Sequence, residues 1–306
     1  MSEASAPSSG HAGNITGMLA MIVSMAAFVS NDLCVKLASE RVPLGELIAL
    51  RNTIATIYVA VFIAVCGGLR WPKDAPVRLL WVRMVSEICA TLLFVAGLIA
   101  LPIADATVLG QTAPIVITAG AAIFLKERVR WPLWIAIAVG FIGVLLVVRP
   151  GTEAFSPAAF LILGSVAFVA VRDLATRRVS AAISTAALTL MSTGSGIVGG
   201  LLMLPFQSPI WPATHEVGLL LVSGFLLTLG FAFTVIAMRS GEVAFVSPFR
   251  YSIILFALVY GWVGWGQFPD SVQIIGIVTL TAAGVFALHY ERTRVTASTA
   301  KPIVVV

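Results

Sequence analysis

The sequence predicts an all-α integral membrane protein of ten transmembrane helices, arranged as two inverted five-helix repeats. Three observations carry that expectation. Of the 306 residues, 59% are hydrophobic and only 11% charged, and the mean hydropathy is +1.03. A soluble domain carries about 25% charged residues, so this chain could not cover a globular surface in water. Its apolar residues fall into ten segments, each close to the roughly 20 residues a helix needs to cross a bilayer. The two halves also resemble each other at an offset of about 140 residues.

The segments follow one another with short breaks. A polar tail, residues 1–14, contains no Lys or Arg, so the first apolar segment reads as a span and not as a cleavable leader. That first span, about 15–37, holds Asp32 and Lys36. The second, about 43–66, carries Glu46 and Arg51, and Gly67-Gly68 and Trp71-Pro72 end it. The third, about 79–100, has Arg83 and Glu87 one turn apart. The fourth, about 105–124, includes Gln111 and Thr112 just before Pro114. The fifth, about 131–148, stops at Arg149-Pro150-Gly151. The sixth, about 156–176, closes on Arg172, Asp173 and Arg177. The seventh, about 182–205, is rich in small residues, with Gly196 and Gly200 four apart, a close-packing signature. Ser208-Pro209 precedes the eighth, about 215–238. The ninth, about 243–265, contains Pro248, Arg250 and Tyr251, and the tenth covers about 272–290. Residues 15–150 form the first repeat and 151–290 the second, and residues 291–306 form a second polar tail.

Basic residues orient the chain. If the N-terminus is inside, the cytoplasmic segments hold Arg70, Lys73, Arg78, Lys126, Arg128, Arg130, Arg177, Arg178, Arg239, Arg292, Arg294 and Lys301, against only Arg41 and Arg149 outside. Such a bias fixes topology, with both termini cytoplasmic. The net charge of +5 is therefore a topology signal, and nucleic acid is excluded as a partner. Trp71, Trp81, Trp131, Trp134 and Trp211 fall near predicted membrane edges, where aromatic belts form.

Two stretches carry the repeat. Ala27-Phe28-Val29-Ser30-Asn31-Asp32-Leu33 answers to Ala167-Phe168-Val169-Ala170-Val171-Arg172-Asp173-Leu174 with one residue inserted, and Gly143-Val144-Leu145 answers to Gly284-Val285-Phe286. Five spans per copy is odd, so the second copy lies upside down. Inverted repeats around a midplane site are the architecture of many secondary transporters.

Further motifs point to a family. Leu101-Pro102-Ile103-Ala104-Asp105-Ala106, Thr112-Ala113-Pro114, Leu125-Lys126-Glu127-Arg128, Gly140-Phe141-Ile142-Gly143-Val144-Leu145, Arg149-Pro150-Gly151 and Leu50-Arg51-Asn52 resemble those of the drug/metabolite transporter superfamily, and within it the EamA-type permeases. The resemblance covers roughly residues 15–290. It implies carriage of small organic metabolites across the bacterial inner membrane, since such proteins include amino-acid exporters and uptake systems for riboflavin or S-adenosylmethionine.

Charges within spans are expensive and need partners or a function. Arg83, Arg172 and Arg250 are candidates to hold an anionic group of a solute, and Asp32 an amine. Glu87, deeper than Arg83, is the candidate for proton coupling. Arg83 and Glu87 also read as a self-satisfied pair on one helix face. Asp32 with Lys36, and Asp173 with Arg177, stand four apart near the ends of the first and sixth spans and read either as helix-end pairs or as alternating gates. Gln111 and Thr112 before Pro114, and Tyr251 after Pro248, are expected to line a cavity where proline interrupts a helix. Phe28 and Phe168, matched by the repeat, are placed nearest its centre.

Other chemistry is not supported. There is no GxxxxGK[ST] phosphate loop, GxSxG or HExxH motif, and Cys34, Cys66 and Cys89 show neither CxxC nor disulfide spacing. No catalytic residue, metal or cofactor is expected. The expected partners are a small-molecule substrate and the lipid bilayer, with a homodimer left open. The leading function is a secondary carrier of an amino-acid-like metabolite working by alternating access. Uptake of a heteroaromatic vitamin such as riboflavin is the alternative, followed by a passive channel or a receptor.

Overall fold

A computed structural model describes residues 11–67, 69–71, 76–124, 131–151, 155–178, 183–240 and 243–299. Among them there is no β-strand. The helices in chain order are α1 (His11–Ala38), α2 (Leu44–Cys66), α3 (Val77–Ala100), α4 (Ile103–Gly110), α5 (Ala113–Phe124), α6 (Trp131–Val148), α7 (Ala159–Arg178), α8 (Thr185–Met203), α9 (Thr214–Ser240), α10 (Val243–Val246), α11 (Ser252–Trp265) and α12 (Ser271–Thr299). Eight stretches are long and apolar enough to cross a membrane, and Ser271–Ala287 is a shorter apolar helix.

Two expected spans are interrupted. The fourth consists of α4 and α5, which meet at Gln111 and Thr112. The ninth breaks into α10, a 3₁₀ turn over Ser247–Tyr251, and α11. In both, proline sits just past the break, where its missing N–H is least costly: Pro114 at the second position of α5, and Pro248 at the second position of the turn. At the C-terminus the helix runs on to Thr299, beyond the predicted end at about residue 290. Glu291-Arg292-Thr293-Arg294 offers no glycine or proline to stop it. By contrast α11 ends sharply at Gly266, in the left-handed region at φ 64°.

Each long helix has one dominant neighbour. α1 packs most extensively on α9, α3 on α7, α6 on α12 and α2 on α8. The lipid supplies no hydrophobic drive for these contacts, so close approach of small residues must do so. A side chain at Gly200 would collide with the backbone of Gly45 and Ala49, and one at Gly196 with the Asn52 amide. The partner of the small-residue face on α8 is therefore α2 of the same chain. Gly143 of α6 lies against Gly276 and Leu280 of α12 in the same way. Met21, Val29, Leu47, Ile48, Leu98 and Leu280 belong to the buried core, whereas Phe62, Phe141 and Phe206 are exposed on the outside of the bundle. All five tryptophans of the expected aromatic belt are exposed, Trp211 at 98%.

Side-chain contacts tie the connections together at each end. The Ser184 backbone N–H donates to the Arg70 carbonyl at 3.1 Å, joining the α2–α3 and α7–α8 connections. We call this the basic end, after Arg70, Arg78 and Arg178. At the opposite end Gln207 accepts from the Gly45 N–H at 2.8 Å, Glu46 accepts from the Ile210 N–H at 3.0 Å, and Arg41 pairs with Glu216 at 3.6 Å.

Candidate functional site

The break between α4 and α5 opens onto a cavity of about 160 Å³. Asp32 of α1, Phe94 of α3, Thr107, Gly110 and Gln111 of the broken span, Ser165 of α7 and Ile253 of α11 form its wall. Asp32 is the one ionisable side chain among the lining residues. It is 9% exposed and accepts a hydrogen bond from Asn31 Nδ2 at 2.9 Å. Asn31 Oδ1 in turn accepts from Ser223 Oγ of α9 at 2.7 Å. Gln111 ends α4 with its side chain at the cavity, while Thr112 turns its hydroxyl back to the Leu109 carbonyl at 2.7 Å.

Beside this carboxylate stands Arg51 of α2. It is 7% exposed, its Nε has no hydrogen-bond partner, and it lies within electrostatic reach of both Asp32 and Glu87. A guanidinium so placed is a strong charge in a medium that screens it weakly. It is available to balance either carboxylate or an incoming anionic group.

Toward the basic end, α3, α7 and α8 are joined by a polar network. Arg172 of α7 donates to Glu87 of α3 at 3.2 and 3.3 Å and to its neighbour Asp173 at 2.8 Å. Ser192 of α8 donates to Glu87 at 3.1 Å. Arg83 donates to Thr176 at 2.5 Å, to Ser192 at 2.8 Å and to the Leu188 carbonyl at 3.5 Å. Arg83 and Glu87 thus bond to neighbouring helices, not to each other. Glu87's ionic partner is one turn of helix packing away, on α7.

The other predicted residues are scattered. Lys36 does not bond to Asp32; it caps the end of α3, donating to the carbonyls of Leu98 at 2.7 Å, Ile99 at 3.2 Å and Leu101 at 2.5 Å, and lies 5.7 Å from the Trp265 ring. Phe28 packs edge-on against Phe231 at 5.3 Å, and Phe168 is 36% exposed; neither lines the cavity. Arg250 is exposed. Tyr251 is buried with its hydroxyl unpartnered, away from the cavity. The side chain of Arg177 lies outside the described residues. Sequence reasoning placed Asp32 and Gln111 where the cavity lies. It missed Arg51 as a site residue, together with Ser192, Thr176 and Ser223. The readable signal for Arg51 was a charge in mid-span with no partner on its own helix face.

Comparison with known proteins places this arrangement. The sequence matches the EamA-like transporter family twice, over residues 15–149 and 156–288. The chain belongs to the EamA-like transporter family. It is 25% identical over 287 residues to a protein named S-adenosylmethionine uptake transporter from Rickettsia conorii, covering 91% of this chain and 94% of that one. It is 29% identical over 270 residues to the pseudopaline exporter CntI of Pseudomonas aeruginosa, covering 87% and 93%. A riboflavin transporter of Rhizobium johnstonii is 28% identical over 219 residues, covering 70% and 72%. A solved crystal structure shares the fold with a TM-score of 0.64 at 18% identity, covering 92% of this chain and 99% of that one. This EamA-like chain is accordingly a multi-pass membrane transporter.

Proposed function

We propose that the protein is a secondary carrier of a small zwitterionic metabolite, of the amino-acid type, across the bacterial inner membrane. The observation that carries this reading is the buried Asp32 carboxylate on the cavity wall with the Arg51 guanidinium behind it. One complements an ammonium or sulfonium group and the other a carboxylate. S-adenosylmethionine, named for several relatives, has both kinds of group. Riboflavin is the second reading, favoured by Phe94 and Gln111 on the wall, but a space of about 160 Å³ suits a smaller solute better. A carrier of this kind is not an enzyme, and all the relatives cited are named for transport.

The transport cycle we infer is alternating access between two inverted repeats of five spans, residues 15–150 and 151–290. Three observations support it. The same family matches each half separately. The helix pairings are unchanged when the halves are exchanged: α1–α9 becomes α7–α3, while α2–α8 and α6–α12 map onto themselves. Ser24 of α1 donates to the Gly230 carbonyl of α9 at 2.7 Å, and Ser165 of α7 donates to the Ala90 carbonyl of α3 at 2.9 Å, a matched pair of bonds. The basic end is then the cytoplasmic side, with both termini there. Glu87 is the proton-coupling group. Asp32 with Lys36, and Asp173 with Arg177, belong to the two gates, one on each side.

Reconstitution in liposomes with labelled S-adenosylmethionine, a panel of amino acids and riboflavin, with and without a proton gradient, tests the proposal. Flux of an amino-acid-type solute with trans-stimulation is expected. No flux of any of these in either direction would overturn it.

A further inference from the structure

The ninth span is interrupted where three hydroxyls have nothing to bond. Ser247 Oγ and Tyr251 OH in the 3₁₀ turn, and Ser252 Oγ at the start of α11, are buried without hydrogen-bond partners. A buried polar group normally finds a partner, so three orphans in six consecutive residues require an explanation. Tyr251 is 6% exposed, and its hydroxyl rests against Gly284 of α12, where any side chain would collide with it. Beside the turn, between α11 and α12, runs an apolar groove of about 940 Å³. The turn is therefore not wedged in place on that side.

The fourth span is broken at the matching position. Gly110 and Gln111, which line the central cavity, precede Tyr251 and Ser252 by 141 residues. At the same shift Asp32 on the cavity wall answers to Asp173.

We infer that the hydroxyls of Tyr251 and Ser252 are substrate-contacting groups of the opposite-facing state, in which the ninth-span break leaves α12 and takes the place at the cavity that Gly110 and Gln111 hold here. The inference rests on the inverted-repeat reading above. Here the two hydroxyls are parked against an apolar neighbour; in the other state they donate to the solute, and a carboxylate is the acceptor that best accommodates two hydroxyl donors. Asp173 then stands where Asp32 stands now. Discontinuous helices at corresponding positions of two halves are a recurring way to build such a site.

A labelling experiment tests this without any substrate. In a full-length chain with Cys34, Cys66 and Cys89 replaced by Ala, Ser252→Cys is buried in the state described here and should react slowly with a small hydrophilic thiosulfonate. Adding Gly284→Ala removes the seat of Tyr251, and alkylation should become at least several times faster. Equal rates in the two backgrounds would overturn the inference. Tyr251→Phe gives a second readout, because it deletes a group that has no partner here. Its thermal unfolding should match the parent or exceed it. For labelled S-adenosylmethionine its half-saturation concentration should rise about tenfold from one side of the membrane only, the size of one lost hydrogen bond. An unchanged value from both sides, or an equal rise from both, also overturns the inference. A wild-type chain that moves no solute of the panel, yet shows the Gly284→Ala effect on labelling, would overturn the carrier reading and leave the conformational exchange standing.

Discussion

Where α3, α7 and α8 meet, Glu87, Arg172, Asp173 and Arg83 form a connected ionic network. Where α9, α1 and α2 meet, the positions 141 residues away are Thr228, Asn31, Asp32 and Gly224. The second cluster is held by neutral bonds: Ser223 to Asn31 at 2.7 Å and Thr228 to its own helix at 3.0 Å. Its cation has moved to another helix, for Arg51 of α2 stands where Ser192 of α8 stands in the first cluster. Two contacts of one geometry have thus diverged in chemistry. The first is closed by charge pairs, and a proton on a carboxylate can weaken it. The second leaves its carboxylate facing the cavity, with an arginine behind that is not tied up by hydrogen bonds at Nε. In an alternating-access carrier this division puts coupling on one side and recognition on the other.

The largest expected effect breaks the recognition half. Arg51→Met leaves Asp32 buried beside no cation, and removing one member of a buried charge pair typically costs about 3–5 kcal/mol. Transport should be lost, and the chain should unfold at markedly lower temperature in detergent. Adding Asp32→Asn to the same chain should restore much of the stability and none of the transport. A double variant that transports normally would show that the pair is structural.

Next in size is the coupling half. Glu87→Gln keeps the shape of the side chain and its bond to Ser192 but removes the charge that Arg172 pairs with at 3.2 Å. Gradient-driven accumulation should disappear, while exchange of solute across the membrane persists. Counterflow assays in the same vesicles separate the two. If accumulation is intact, Glu87 is only part of the closure.

Much of this architecture was legible in the sequence, and the illegible part has a common cause. Span positions follow from composition, because lipid demands uninterrupted apolar stretches. The two breaks follow from Pro114 and Pro248. Pairing between helices does not follow, because spacing along one helix shows only which residues share a face. Arg83 and Glu87 share one and still bond elsewhere; Lys36 shares one with Asp32 and caps α3 instead. The repeat match Phe28 to Phe168 failed to find the cavity wall for a related reason. One inserted residue turns the helix face by about 100°, and it is Val169, not Phe168, that reaches the cavity.

A smaller effect tests whether the two contacts remain equivalent where chemistry has not diverged. Ser24→Ala and Ser165→Ala each remove a hydroxyl-to-carbonyl bond between the same pair of related helices. Interhelical hydrogen bonds in membranes average about 0.6 kcal/mol, and the two variants should lower stability by equal amounts of that order. Ser24 is also within 2.6 Å of the Thr234 hydroxyl, a partner Ser165 lacks among the described bonds, so any excess should fall on the Ser24 side. A much larger loss at Ser165 would mean that the ionic network depends on that bond for its register.

The smallest effect lies outside both clusters and serves as their control. At the end opposite the basic one, Asp270 before α12 pairs with Arg149 after α6 and accepts the backbone N–H groups of Val272 and Gln273, each at 3.0 Å. The Arg149 side-chain hydrogen bond, followed by the backbone bond from Gln273, lowers the Asp270 carboxyl from its ordinary 3.8 to about 2. Because the folded value is the lower one, the ionised carboxylate stabilises the fold at every pH above about 4, and the contribution fades as pH falls through about 2. Asp270→Asn should therefore lower the unfolding temperature slightly and by a constant amount between pH 8 and pH 5, with the gap closing below pH 4. Salt should shrink that gap, because exposed pairs are screened. The same salt should leave the effect of Arg51→Met in place, since that charge lies inside the protein. Equal salt sensitivity at the two positions would mean that water reaches Arg51, and the contrast between a buried recognition cluster and a solvated helix end would fail.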